Sequence, residues 1–327
     1  MVLKVAVIGG GVIGITSAYV IAENLEDVQV TVFSESWSPD TTGDGSAGYW
    51  CPYLLGDVPE EVLRFWCQKS FEVFQAICKT KEAVEWGVGL LSVFSLATEP
   101  LETPAYHDLF LEHRPLCAKE LSMFPSRCRY GAFITTFFVE CTKFLPVLMK
   151  RIQSKGGKLI EKKIESLHEF SGEYDVVINC SGLGARTLVP DPEVIPVRGS
   201  CPWLKHGVML DNDFYILPNS EETILGGTHQ EDDWRLEPDP EDSKNIWEGC
   251  TEIMPCLKEA KILRHWVGLR PYRPTPRVER ETLKTEKGNL EVIHNYGHGG
   301  SGVTLSFGCA YHVLRLLQET MKISSHL

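Results

Sequence analysis

The chain has 327 residues, a formal charge of −12 and a hydrophobic content of 43%. That length allows one large or two ordinary domains, each with a sizeable core. The acidic balance, with no run of Lys and Arg, argues against nucleic-acid and membrane-surface partners, and no apolar segment is long enough to span a bilayer.

The first element organises the rest. Lys4-Val5-Ala6-Val7-Ile8 reads as a strand, Gly9-Gly10-Gly11 as a tight turn, and Val12-Ile13-Gly14 as the start of a helix that stays apolar through Ile21. Gly9 lets the backbone turn, Gly11 admits a pyrophosphate, and Gly14 lets the helix pack closely on the strand. The phosphates would sit at the helix N-terminus, where free N–H groups and the dipole favour negative charge. A second strand, Val28 to Phe33, ends just before Glu35. This carboxylate lies about twenty residues beyond Gly14, the spacing suited to a ribose. The fingerprint predicts an adenine dinucleotide and leaves NAD or FAD open. The apolar N-terminus is cut by glycines and has no basic leader, so it reads as part of the fold and not as a signal peptide.

Ser38 to Gly48 is a polar, glycine-rich loop, suited either to more of a phosphate-bearing ligand or to the surface. Val62, Leu63, Trp66, Cys67, Phe71, Phe74, Ile77 and Cys78 recur at helical spacing, which predicts a core-facing helix over about 58 to 80. Val88 to Ser95 and Ala132 to Val139 read as strands, with a short helix near Ala118 to Met123 between them. This section departs from a βαβ repeat and suggests an inserted antiparallel domain. A helix over Leu145 to Gln153 and a strand at Lys158 to Ile160 follow. Tyr174 to Cys180 is a nearly continuous apolar run, as befits a parallel strand covered on both faces, and it ends in the small turn Ser181 to Gly184.

Pro196-Val197-Arg198-Gly199 is read as opening a second section outside the dinucleotide domain. A hairpin is predicted from Asp213 to Pro218 and Thr223 to Thr228, with its turn at Asn219-Ser220. His229 leaves the second strand, where a surface or hydrogen-bonded structural role is commoner than a catalytic one. Val267 to Arg277 is stiffened by prolines and carries Arg270, Arg273 and Arg277. An arginine held on such a segment suits bidentate capture of a carboxylate, although salt-bridged surface arginines have the same signature. Leu290 to Thr304 reads strand, glycine-rich turn, helix. A second glycine-rich helix start favours a flavin, which needs contacts along more of its length. The 11 cysteines show no pair or cluster of metal-ligand spacing and read as reduced, mostly buried thiols of an intracellular protein. No metal is expected.

Gly9 to Gly14, Asp40-Thr41-Thr42, Gly268-Leu269-Arg270-Pro271 and His294-Asn295-Tyr296-Gly297-His298-Gly299-Gly300 together resemble the D-amino-acid oxidase and D-aspartate oxidase family of flavoproteins. The resemblance covers nearly the whole chain. It implies an α/β fold: a Rossmann-like FAD-binding domain split in sequence (1–52, 142–196, 262–327), plus a mixed, largely antiparallel α+β substrate domain (53–141, 197–261). It also implies non-covalent FAD, oxidation of a D-amino acid by hydride transfer to the flavin, hydrolysis to a 2-oxo acid and ammonia, and reoxidation by O2 to hydrogen peroxide.

By motif match, Arg270 pairs with the substrate carboxylate and Tyr215 adds a donor. The Gly300 carbonyl receives the amine, while Tyr53 and Tyr49 wall the side-chain pocket and His229 faces it. The cofactor set comprises Gly9, Gly11, Val12, Ile13, Gly14, Glu35 and Ser36 on the adenosine side, then Thr41, Thr42, Ala47 and Gly48. Ile164 and Ser181 serve the adenine and linker, and Gly299, Gly300, Ser301, Gly302, Val303 and Thr304 the ring end. Several segments resemble the aspartate-oxidising branch, so the reading leans to acidic substrates. That branch, however, usually sets a permanent cation where this chain has His229 and another where it has Val208 or Met209. Ile246 to Cys250 resembles the neutral branch, which stays the alternative. A sarcosine or glycine oxidase, an NAD-dependent dehydrogenase and a non-enzymatic flavin-binding protein are the remoter readings. The ending Ser325-His326-Leu327 resembles a peroxisomal address. It implies an import receptor as partner and the peroxisome matrix, with the cytosol as a second compartment; a homo-oligomer is left open.

Overall fold

The computed structural model describes residues 2–53, 55–199, 207–211 and 213–324. The Ser325-His326-Leu327 motif lies outside them. In chain order the strands are β1 (Leu3–Ile8), β2 (Val28–Ser34), β3 (Val88–Ala97), β4 (Glu112–Pro115), β5 (Tyr130–Val139), β6 (Lys158–Glu161), β7 (Val176–Asn179), β8 (Ile195–Gly199), β9 (Gly207–Leu210), β10 (Phe214–Pro218), β11 (Thr223–Gly226), β12 (Gln230–Glu231), β13 (Gly268–Thr285) and β14 (Gly288–His298). The helices are α1 (Val12–Asn24), α2 (Glu60–Cys78), α3 (Ala118–Leu121), α4 (Cys141–Ser154), α5 (Ala185–Leu188), α6 (Pro240–Ile253) and α7 (Gly302–Ser324).

Two sheets organise the chain. The larger runs β12-β8-β13-β14-β7-β1-β2-β6, with β14, β7, β1, β2 and β6 all parallel. Chain order reverses at β1, which has β2 on one side and the much later β7 on the other. Open α/β sheets bind ligands beyond the carboxyl ends of such strands. Successive residues of β1 feed opposite layers: Val5 and Val7 join the core under α1, α4 and α7, while Ala6 and Ile8 join Phe33, Phe170 and Val292 on the other face. This double coverage is why the strand is apolar from Val5 to Ile8. Ile15, Ala18 and Ile21 of α1 are fully buried. Each isoleucine contributes about 1.5–3 kcal/mol by leaving water.

The smaller sheet runs β11-β10-β9-β3-β5-β4 and is antiparallel except where β9 lies parallel to β3. α6 covers it through Ile246, Cys250 and Ile253.

Several elements differ from the sequence reading. Pro196 to Gly199 does not leave the larger sheet: β8 pairs antiparallel with Gly268 to Tyr272, and β12 pairs with β8. The expected domain boundary at 196/197 therefore falls inside a strand. The pairing spans some seventy residues of sequence and leaves no local trace. α4 starts at Cys141, so Pro146 lies within the helix that was expected to begin at Leu145. β9 and α6 were not predicted, although α6 has the usual start: Asp239 accepts from the N–H groups of Glu241 and Asp242, and Pro240 is the first helical residue.

Candidate active site

The glycine turn between β1 and α1 opens one wall of a cavity of about 520 Å³. Gly9 has φ +117°, and a Cβ there would lie 2.3 Å from the Cys180 carbonyl oxygen, so only glycine fits. A Cβ on Gly14 would sit 2.0 Å from the Gly9 oxygen, whereas one on Gly11 would meet nothing within 4 Å. Gly11 thus faces the cavity, and Gly14 seats the helix against the turn.

The cavity runs from Glu35, Lys162, Lys163 and Ile164 past this turn to Tyr53, Tyr215, His229 and Arg270. Gly9, Gly11, Val12, Ile13, Gly14, Glu35, Ser36, Thr41, Thr42, Ala47, Gly48, Tyr49, Ile164, Ser181, Gly299, Gly300, Gly302 and Val303 all line it. Ser301 and Thr304 are not among the lining residues. Their hydroxyls are spent on the chain opposite. Ser301 Oγ accepts from the Tyr53 N–H at 2.6 Å and donates to its carbonyl at 2.5 Å, while Thr304 Oγ1 does the same for Cys51 at 3.2 and 3.1 Å. They therefore hold the 51–53 segment over the cavity. Thr41 is likewise engaged, donating its hydroxyl to Asp44 Oδ2 at 2.6 Å to close the 41–44 turn.

At the far end Arg270, on β13, donates through Nη1 to the carbonyls of Arg198 (3.0 Å), Thr228 (3.1 Å) and Val197 (3.4 Å). No described residue engages its Nη2 or Nε, so one edge of the guanidinium is anchored and the other is presented. The platform beneath is braced in turn. Arg198, 1% exposed, pairs with Asp242 and donates to Gln230 Oε1 at 3.2 Å and the Glu237 carbonyl at 2.9 Å. A charge so buried stays tolerable only while its partners stay in place. The Tyr215 ring lies over Gly226 and Gly227, where added Cβ atoms would stand 2.2 and 2.6 Å from it. A Cβ on Gly300 would fall 2.6 Å from Tyr53 Cδ1 and 3.8 Å from Arg270 Cδ. The Tyr53 hydroxyl meets His229 Nδ1 at 2.8 Å. Burial raises the Tyr53 pKa, with Arg270 opposing, so the phenol stays protonated. Met209 and Leu217 complete this end; Val208 is buried.

Burial pushes the Cys51 and Cys180 thiols, which also line the cavity, up to about 12, so neither is a thiolate nucleophile at neutral pH. Of the described cysteines, Cys117 and Cys256 are exposed, and no metal-binding cluster occurs among the described residues. What remains at the Tyr53–Tyr215 end, among the described residues, is a cradle with one anchored cation, Arg270, and few groups able to move a proton. That arrangement suits positioning chemistry.

Buried polar atoms without partners among the described residues point to a polar ligand. Ser46 Oγ, Ser181 Oγ, Asn295 Oδ1 and His298 Nε2 are such atoms, all on residues lining this cavity. A long cofactor carrying phosphates and a heteroaromatic ring fits these groups together with the glycine turn. Ser46 and Trp266 were not singled out from sequence, and His298 entered there only as part of the glycine-rich motif. Trp266 packs so tightly on Gly45 and Gly268 that Cβ atoms there would stand 2.1 and 1.9 Å from its ring. The small residues facing it were the available signal.

Residues 4–316 match the family of FAD dependent oxidoreductases. The chain is 37% identical to a D-aspartate oxidase of Homo sapiens over 324 residues, 97% of this chain and 95% of that one. It is also 37% identical to a D-amino acid oxidase of Dugesia ryukyuensis over 330 residues, 98% of each. Among solved structures, a glycine oxidase from Geobacillus kaustophilus shares the fold with a TM-score of 0.79 at 19% identity, covering 97% of this chain and 95% of that one.

Proposed function

The chain belongs to the FAD dependent oxidoreductase family, and on that premise we propose that it oxidatively deaminates D-amino acids. D-amino acid, O2 and water give 2-oxo acid, ammonia and hydrogen peroxide. The proposal leans to D-aspartate and D-glutamate. The observation that carries it is Arg270, with one edge held by three carbonyls and the other presented beside Tyr53, Tyr215 and Gly300. Bound FAD supplies the two-electron acceptor and returns the electrons to O2.

In this reading the Arg270 fork pairs with the substrate carboxylate and the Tyr215 hydroxyl adds a donor. The Gly300 carbonyl takes the amine, for which a residue with a side chain would leave no room beside Tyr53. Three fixed points present the α-hydrogen toward the ring for one enantiomer only. Tyr53 and His229, already bonded, meet the side chain. The lean to acidic substrates is supported by the human D-aspartate oxidase relative. The alternative, a neutral substrate, is supported by Met209 and Leu217 at the same end. No described helix is long and apolar enough to cross a membrane; the peroxisome matrix is the proposed compartment, from the Ser325-His326-Leu327 motif and the peroxide produced.

The test is anaerobic. D-aspartate, D-alanine and their L isomers are added separately to the yellow protein and the visible flavin band is followed. Bleaching by the D isomers alone is expected, faster with D-aspartate. Faster bleaching by D-alanine would move the protein to the neutral alternative, and bleaching by L isomers alone would overturn the reading.

A further inference from the structure

His298 ends β14, immediately before the short 3-10 helix Gly299–Ser301. It is 1% exposed and lines the cavity, yet its buried Nε2 has no hydrogen-bond partner among the described residues. Such a group is expensive: withdrawing it from water without a partner costs about 1–3 kcal/mol, whereas a leucine would fill similar space at no such cost. Its position narrows what the ring meets. His298 is paired with Tyr272 across the β13–β14 ladder, two residues from Arg270, and two residues before Gly300, whose α-carbon faces Tyr53 and Arg270. The imidazole therefore stands at the substrate end of the cavity, where the redox-active ring has to reach.

We propose that His298 is a cofactor-binding residue whose imidazole hydrogen-bonds a polar edge of the ring system of bound FAD. The proposal rests on the FAD reading above. Burial pushes the His298 pKa down to about 3, so the ring is neutral at pH 7 and offers one N–H and one lone pair. A flat heteroaromatic with donors and acceptors along its rim can use either. The charge-free ring adds no cation beside Arg270, which leaves carboxylate capture to that residue.

The test uses full-length apoprotein of wild type, His298→Leu and His298→Gln. Flavin fluorescence gives FAD affinity, melting without FAD gives intrinsic stability, and the visible band of the loaded protein reports on hydrogen bonds at the ring. The expected result is that the Leu apoprotein melts no lower than wild type, binds FAD about tenfold more weakly, and shifts the visible band. Gln, which has both a donor and an acceptor, should restore affinity to within about threefold and return the band. Leu binding FAD within twofold of wild type with an unshifted band would overturn the proposal. So would a Leu apoprotein that melts lower while its loaded band is unchanged, since that would make the histidine a structural residue satisfied by buried water. If wild type took up no FAD at all, the underlying FAD reading would fail instead.

Discussion

Replacing Arg270 with lysine separates the two jobs of its guanidinium. Nη1 is committed to the carbonyls of Arg198, Thr228 and Val197, at 3.0 to 3.4 Å, while Nη2 and Nε have no hydrogen-bond partner among the described residues. A lysine ammonium is a single point and cannot reach both sides. If it stays with the carbonyls, the substrate carboxylate loses a two-point, charge-assisted contact, each bond of which is worth about 1.5–3 kcal/mol. If it turns to the substrate, three carbonyls lose a donor at about 0.5–1.5 kcal/mol each. Both routes converge on a loss of about 3 kcal/mol, or roughly 150-fold in kcat/KM. Most of this should appear as weaker binding, because the carboxylate is held alike before and during the reaction. The assay is the substrate dependence of flavin reduction with D-alanine, alongside FAD affinity. Half-saturation should rise about a hundredfold while FAD affinity stays within about threefold. An unchanged half-saturation would refute the assignment of Arg270 to the carboxylate.

His229→Arg should put a permanent cation beside Tyr53, where imidazole supplies one only when protonated. The ratio of kcat/KM for D-aspartate over D-alanine should rise about tenfold, and a fall in that ratio would show that His229 does not face the side chain. Acid stability follows from the buried histidines. Burial depresses His298 to about 3 and lowers His294 and His312 as well. The unfolded chain then binds protons that the fold refuses, so stability present above about pH 6.5 is lost as pH falls, at about 1.4 kcal/mol per pH unit for His298 alone. Urea midpoints of the apoprotein at pH 7 and 5.5 should show this decline, and His298→Gln should flatten it. Equal slopes for the two proteins would remove His298 as its source.

The dinucleotide half of the site was legible because its signals are local. Gly9, Gly11 and Gly14 recur at the fixed spacing of one strand-turn-helix unit, and the apolar run from Val5 to Ile8 reports burial on both faces of one strand. Glu35 follows from counting along the same unit. Ser301 and Thr304 show where such reading stops. They are small polar residues in a glycine-rich turn, as a ring-binding loop would have, and their hydroxyls carry a second task, bonding the backbone of Cys51 and Tyr53, 253 and 248 residues away. No neighbouring residue announces that claim.

What the sequence alone determined is thus the strand-turn-helix that receives a cofactor and the rigid, proline-lined segment carrying Arg270, since both depend on backbone freedom and periodicity over short stretches. Tertiary structure alone decided that Arg270 is gripped on one edge and open on the other, because its three acceptors come from β8 and from the segment after β11, 42 to 73 residues earlier. It also decided that Tyr53 meets His229 across 176 residues and that His298 Nε2 is buried without a partner among the described residues. Hydrogen-bond partners are assigned by which strands lie side by side, and that pairing is a property of the whole chain.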